Sequence, residues 1–531
     1  MMKSTILFLL LAARILVAQG DHGKLLTVAE SSDWKGTALH ADVITLVERL
    51  AKSSSVVRLT EMGKSFEGRS MPLMILANPP VSTPAEAKAS GKLVVYAQGG
   101  IHSGECCGKE ALLMLAREIA AKPDHPLLKH LVILLAPIYN PDGNERVRKN
   151  NRPGQAGPVL GMGQRATAEG YDLNRDNTKL DSPEAQSLSR VMNTWDPLLV
   201  IDTHTTNGSY HQNTLTFDGP VNPAGDARII DFVRETYLPA ISKSVEAETG
   251  YKTTFYGNSN RDKTRWTTYE GRPRFGTRAR GIRGIVSILT EAYKYAPYKD
   301  RILCTQAIVE HLFRYAAEHR QTFRQLIGQV RADTVAKGRD PKPDDQVAVR
   351  AEVARIPKNI MIHGWVEKVP AGATGRRARA RPTTEKKTYE MEHWGAYKAT
   401  HSVTRPFAYV YPASLTRLTE KLKQHGVPVE AAPAGVTVAA EVYRIDKMKR
   451  ARRPFQKHVM VTLDVTKSAA PAHPLSADTM MVRTAHPLGN LIVYLLEPEA
   501  EDGLAAWNVL DKVIAEGKTF PVVRVMKPIG K

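Results

Sequence analysis

The feature of this chain that most restricts its fold is the alternation, from about Leu93 to Ala316, of short apolar runs with longer amphipathic stretches. Four runs stand out: Lys92 to Ala97 (KLVVYA), Leu131 to Ile138 (LVILLAPI), Pro197 to Thr203 (PLLVIDT) and Gly284 to Thr290 (GIVSILT). Each is β-branched or leucine-rich and too short for a typical helix, so each reads as a strand buried on both faces. Helical patterning fills Lys109 to Ala121, Asp226 to Thr249 and Leu303 to Ile327. The pattern predicts an α/β fold with a mixed, largely parallel central sheet flanked by helices.

Beyond this region, AKGRDPKPDDQ combines glycine, proline and charge and reads as a linker. The runs Phe407 to Tyr411, Val436 to Ile445 and His458 to Val465 then have strand-like content, with one helical stretch around Leu415 to His425. The expected organisation is a leader over 1–20, an α/β domain over 21–330, a linker over 331–347 and a smaller, mainly β C-terminal domain over 348–531. The leader has Lys3, an apolar run from Ile6 to Ala13 and small residues at Ala18 and Gly20, the pattern of a signal peptide. Arg14 interrupts that run, whereas a membrane span needs about 20 apolar residues. A secreted or periplasmic protein is expected, with no transmembrane span once the leader is removed.

Only Cys106, Cys107 and Cys304 are present, so a disulfide scaffold is excluded, and small buried packing residues are the simpler reading. Lys plus Arg number 74 against 54 for Asp plus Glu, a net charge of +20 that draws the surface toward anionic polymers. The clusters Arg376 to Arg381 (RRARAR) and Lys447 to Arg453 (KMKRARR) offer contacts for an acidic surface polymer, against the plainer reading of solvated loops. No nucleic-acid partner is expected.

The chemistry gathers at strand ends. The first run leads into Gly99-Gly100-Ile101-His102-Ser103-Gly104-Glu105, the third into His204 and the fourth into Glu291. Ligands of open α/β sheets bind at the carboxyl edge of the strands. His102, Glu105 and His204 make the His₂Glu set that catalytic zinc prefers, with a fourth position left for water or a substrate carbonyl. His-x-x-Glu alone arises by chance in many chains. Here it is followed by Tyr139-Asn140-Pro141-Asp142-Gly143, by Arg146, Arg148, Lys149 and Arg152, and by Tyr171-Asp172-Leu173-Asn174-Arg175-Asp176. Arginines so dense near a metal edge point to anion recognition.

With these motifs in this order, and with Gly63-Lys64-Ser65-Phe66-Glu67-Gly68-Arg69 upstream, the chain resembles the zinc metallocarboxypeptidases, the family typified by pancreatic carboxypeptidase A, over roughly Ser32 to Ala316. The resemblance implies one Zn²⁺ per chain on His102, Glu105 and His204, Glu291 as general base and Arg148 facing the scissile carbonyl. It further implies that Asn174 and Arg175 hold the terminal carboxylate of peptide substrates with a free C-terminus, and that Asp172 orients the first zinc histidine. The chemistry agrees, since zinc acidifies bound water toward neutrality and an adjacent carboxylate then takes the proton. Val147 stands where the family usually has an aromatic residue. The tyrosine that closes over substrate is assigned to Tyr269, 22 residues before Glu291, with Tyr256 as competitor, and Arg272-Pro273-Arg274-Phe275-Gly276 is expected to line the side-chain pocket.

Two other readings stand beside this one. A zinc deacylase of the aspartoacylase and succinylglutamate desuccinylase type also has His-x-x-Glu and Asp-Leu-Asn-Arg. The stretch from Asp21 to Gly91 ahead of the metal motif, and export, count against it. An inactive binding module on the same fold is disfavoured by Glu291 standing with all three ligands. Because that same stretch already holds the upstream motif, no inhibitory prosegment is expected.

Overall fold

The structure is a computed structural model that describes residues 25–206, 208–372, 374 and 380–529. The expected signal peptide lies outside the described residues, as does most of the Arg376 to Arg381 cluster. Its centre is an eight-stranded sheet of β1 (Val57–Lys64), β2 (Ser70–Leu76), β3 (Leu93–Gln98), β4 (Leu131–Ala136), β5 (Leu199–Thr206), β6 (Leu215–Asp218), β7 (Thr253–Phe255) and β10 (Val286–Tyr293). The intervening β8 (Asn258–Ser259) and β9 (Arg265–Thr267) belong to a second sheet.

Strand order is β1-β2-β4-β3-β5-β10-β6-β7. The four apolar runs form its middle, where β4, β3, β5 and β10 run parallel, almost wholly buried on both faces. The sequence pattern missed the flanks. The β1–β2 hairpin is antiparallel at one edge, β6 pairs antiparallel with β10, and β7 extends β6. Of these, β1 escaped because it is partly exposed and β6 and β7 because they have only 4 and 3 residues, whereas β2 is seven residues long and buried and was simply missed.

From β3 the chain crosses to β4 on one side, while β5 and β10 lie on the other, so a crevice opens at the carboxyl ends of β3 and β5. Helix Cys107–Ala120 follows β3 and covers the sheet, with Leu112, Leu113, Leu115 and Ile119 fully buried. Each such side chain contributes about 1.5–3 kcal/mol.

The helix expected over 303–327 is two helices, Tyr298–Glu318 and Arg320–Arg339, meeting at His319. The second runs through much of the stretch read as linker and leaves only 340–345 before the next strand. Its composition is polar, but Phe323, Ile327, Val330, Thr334 and Gly338 form a buried row at helical spacing, and a side chain at Gly338 would collide with the Thr484 carbonyl.

In the C-terminal part, β11 (Gln346–Lys368) and β12 (Arg381–Thr404) form a long antiparallel hairpin, and β12 pairs parallel with β9. The remaining strands, β13 (Ala408–Pro412), β14 (Glu430–Ala431), β15 (Thr437–Arg450), β16 (Val461–Pro474), β17 (Thr479–Arg483) and β18 (Val523–Val525), make a six-stranded sheet. Its core takes in Ala224 and Ile282 from the first part of the chain. The molecule is thus a mixed α/β fold followed by a β-rich region. The three cysteines are buried and free, and among the described residues no helix is long and apolar enough to cross a membrane.

Candidate metal centre and cleft

His102 and Glu105 occupy the loop between β3 and helix Cys107–Ala120, and His204 lies on β5. The loop turns sharply because Gly100 has φ +71°, and a side chain at Gly99 would strike the Lys109 and Pro137 backbones. The three side chains are buried, and their ligand atoms lie within 4.8 Å of one another. His102 Nδ1 is 3.0 Å from Glu105 Oε1 and His204 Nδ1 is 3.0 Å from Glu105 Oε2. Parallel pairing of β5 with β10 sets Glu291 directly opposite His204.

Each histidine is backed by a carboxylate. His102 Nε2 donates to Asp172 Oδ1 at 2.9 Å, and His204 Nε2 is 3.4 Å from Asp202 Oδ2. Burial pushes the Asp172 carboxyl up, but His102, Arg165 and Arg175 outweigh it and hold it far below the usual carboxylate range. Glu105 is itself held well below its ordinary value, because Arg152, then His102 and His204, overcome its burial. Two imidazole nitrogens and an ionised carboxylate thus converge on one point, and the cationic side chains around the carboxylate are Arg152 Nη1, 2.6 Å from Glu105 Oε1, and Arg165 Nη1, 3.6 Å from it. Against its burial, Asp202 and Glu105 hold the His204 imidazole well above its ordinary value, so a zinc ion taking this donor set, whose histidines are held by carboxylate neighbours, would displace a proton from it.

Glu291 is partly buried, and its Oε2 has no hydrogen-bond partner. Burial, with the Glu105 charge adding to it, pushes its carboxyl up to about 7 against the pull of His204, Arg152 and Arg165. A carboxylate poised near neutrality beside a metal set is suited to proton transfer.

These residues open on a cavity of about 150 Å³ that also includes Arg165, Asn174, Arg175, Tyr256, Tyr269 and Phe275. Asn174 and Arg175 come from a short 3₁₀ turn capped by the Asp172 carboxylate. Asn174 Oδ1 accepts the Gly276 N–H at 2.9 Å, and the Arg175 guanidinium stacks on Phe275 at 3.9 Å. Tyr269 and Tyr256 are edge to face, 5.6 Å apart, so the cavity includes both tyrosines that compete as the closing residue. Of the stretch Arg272 to Gly276 only Phe275 lines this cavity. Arg272 and Arg274 turn away to Glu501 and Asp502.

The structure does not bring Arg148 to the cleft. Residues 147–150 are exposed, and Arg148 is held by a backbone bridge to Met162. That bridge returns the chain inward, and Gly163, where a side chain would strike the Gly143 carbonyl and Ser103, lets it pass close beneath the metal loop. The arginine of this stretch that lines the cavity is Arg165, while Arg152 reaches Glu105 from behind it. Arg165 Nε and Nη2 grip Asp172 Oδ2 at 2.9 and 2.7 Å, and its Nη1 is 3.2 Å from His102 Nδ1. The sequence pattern carried no sign that separates Arg165 from its neighbours. Asp202 was missed as well, although its place two residues before His204 on a strand, and so on the same face, could have pointed to it. Arg152, which also donates to the Thr205 carbonyl at 2.6 Å, stood only among a run of arginines.

Residues 43–272 match the family model described as zinc carboxypeptidase. Over 500 residues the chain is 25% identical to carboxypeptidase 2 of Trichophyton rubrum, covering 90% of this chain and 85% of that one. It is 34% identical over 154 residues to carboxypeptidase D of Mus musculus, covering 26% of this chain and 11% of that one. Among solved structures, carboxypeptidase A from Helicoverpa armigera aligns with TM-score 0.40 and 16% identity, over 54% of this chain and 74% of that one. A metallo-carboxypeptidase from Burkholderia cenocepacia aligns with TM-score 0.39 and 18% identity, over 53% and 69%.

Proposed function

The chain carries a domain of the zinc carboxypeptidase family over residues 43–272 and is a metallocarboxypeptidase, and from that premise we propose that it removes the C-terminal residue of peptides with Glu291 as general base, acting outside the cytoplasm. The observation that carries this reading is the convergence of His102 Nδ1, His204 Nδ1 and the Glu105 carboxylate within 4.8 Å, with the unpartnered Glu291 carboxyl facing the same cavity.

His102, Glu105 and His204 would hold one zinc ion, which when bound supplies Lewis acidity toward water and a carbonyl. Everything else falls to the chain. Glu291 Oε2 takes a proton from the attacking water and passes it to the departing amine, a role its carboxyl suits because burial has brought it near neutrality. Arg165, rather than Arg148, faces the oxygen of the scissile carbonyl, since its guanidinium is already oriented by two hydrogen bonds to Asp172. Arg175, packed on Phe275, offers a planar fork to the substrate's terminal carboxylate beside Asn174. Tyr269 and Tyr256 cover the bound residue.

The test is mass spectrometry of a peptide library incubated with the protein, with and without chelator. Loss of single C-terminal residues, abolished by chelator and absent for C-terminally amidated peptides, is expected. A carboxylate gives Arg a charge-assisted pair that an amide cannot, worth about 2–5 kcal/mol in a desolvated site. Arg175→Ala should weaken cleavage of free peptides alone. Equal cleavage of free and amidated peptides by the wild type would refute the reading, and release of acyl groups from N-acyl amino acids would favour a deacylase.

A further inference from the structure

The chemistry above uses nothing after Glu291, yet the turn joining β15 to β16 packs against the segment that bears Asp172, Asn174 and Arg175. Gln456 Oε1 accepts the backbone N–H of Asp172 at 2.8 Å, across 284 positions of sequence. Lys457 Nζ lies 4.1 Å from the centre of the Tyr171 ring. His458 Nε2 donates to Asp181 Oδ2 at 2.7 Å, and its Nδ1 is 3.0 Å from Asn508 Oδ1. Phe455 stacks with Arg274, whose neighbour Phe275 lines the cavity. The turn therefore contacts residues adjoining two of the segments that line the cleft, Tyr171-Asp172 next to Asn174 and Arg175, and Arg274 next to Phe275.

Gln456 and Lys457 have φ of +50° and +66°. They are the two central residues of a tight hairpin closed by Phe455 and His458, whose backbones exchange N–H···O bonds of 2.8 and 3.0 Å, and a two-residue turn of this kind takes positive φ at both positions. Here it aims Gln456 at a single backbone amide.

With the Asp172 carbonyl accepting the Arg175 N–H at 2.9 Å, that amide is the other backbone handle on Asp172. The carboxylate is fully committed: Oδ1 is shared by His102 Nε2–H and the Asn174 N–H, and Oδ2 is gripped by Arg165. A shift of the Asp172 backbone would move all of these at once, including the group that orients His102. We propose that Gln456 is a positioning residue of the metal centre, holding Asp172 so that His102 keeps the orientation a zinc ion needs, which makes the C-terminal β region a working part of the active site. The inference rests on the metallocarboxypeptidase reading.

The experiment uses the full-length chain, stripped of metal and titrated with zinc against a competing chromophoric chelator, alongside thermal unfolding of the metal-free protein. Gln456→Met keeps the length of the side chain and removes only the acceptor. Since loss of outer partners of a metal ligand weakens binding by 10–100-fold, this more remote one should weaken zinc affinity by about tenfold. The metal-free variant should unfold at the wild-type temperature, which a merely structural contact would not allow. If Gln456→Met does not fold, Gln456→Asn carries the same expectation, because Asn tolerates the left-handed turn but is too short to reach the amide. Zinc affinity within twofold of wild type in the folded variant, or a loss matched by equal destabilisation of the metal-free protein, would overturn the proposal. A wild type that takes up no zinc would refute the metal reading and this inference together.

Discussion

Replacing Arg165 by methionine tests which arginine meets the developing negative charge. The Arg165 guanidinium stands 3.6 Å from Glu105 Oε1 and is oriented by its two bonds to Asp172, so it is positioned before substrate arrives. Two unit charges 4 Å apart near a protein surface interact by about 4 kcal/mol, and removal of one donor to an oxyanion typically costs about 2.7–4 kcal/mol. The side chain is 43% exposed, which screens the charge and places the expected loss at the lower end. About 3 kcal/mol corresponds to a fall in kcat of roughly 100-fold, since each 1.36 kcal/mol is tenfold. Arg148→Met, on the exposed 147–150 segment, should change kcat less than about twofold, as surface substitutions away from special features usually do. The assay is steady-state hydrolysis of a chromogenic blocked dipeptide at saturating zinc, with metal content measured in parallel because Arg165 also contacts Asp172. If Arg148→Met loses 100-fold while Arg165→Met stays near wild type, the placement of the two arginines in the reaction is wrong.

Glu291→Gln should keep zinc stoichiometry and circular dichroism while lowering kcat by about 10²–10⁴-fold, because the amide cannot accept a proton; near-native turnover would make Glu291 structural. Glu184 is fully buried with Oε2 lacking a partner, and burial pushes its carboxyl up to about 7 from an ordinary 4.5. The folded state therefore holds this proton more tightly than the unfolded state, so its contribution is complete below pH 4.5 and is lost as pH rises through 7. Glu184→Gln should accordingly gain stability over wild type as pH rises from about 4.5 to 8, by at most about 3 kcal/mol, and urea unfolding at both pH values would expose a pH-independent difference as refutation. Asp502→Ala leaves the buried Arg274 guanidinium without its carboxylate and should destabilise by about 3–5 kcal/mol, read as a lowered urea midpoint; an unchanged midpoint would mean that the pair contributes nothing to holding the two parts together.

What the sequence determined by itself is local. The four apolar runs had to be buried strands because few other elements hide so many consecutive large side chains in so few residues, and His102, Glu105, His204 and Glu291 follow from the short loops and strand ends adjoining them. Asp172 was expected only through the family resemblance, and it opens the turn that carries Asn174 and Arg175. The turn after β1 joins this group through Ser65 and Arg69, both hydrogen-bonded to the Asp142 carboxylate, which is why motifs far apart in sequence meet. Tertiary structure alone decided which arginine enters the cleft. Arg148 and Arg165 lie on one irregular stretch with no periodicity to orient them, and only the Arg148–Met162 bridge and the close passage at Gly163 separate surface from site. It also decided the part played by the C-terminal region. Gln456 and Asp172 are joined by one hydrogen bond, and Asp502 and Arg274 by a few hydrogen bonds and an ion pair, across hundreds of residues. Contacts of that kind depend on how completed sheets pack against each other, and a linear pattern of apolar and polar residues does not encode them.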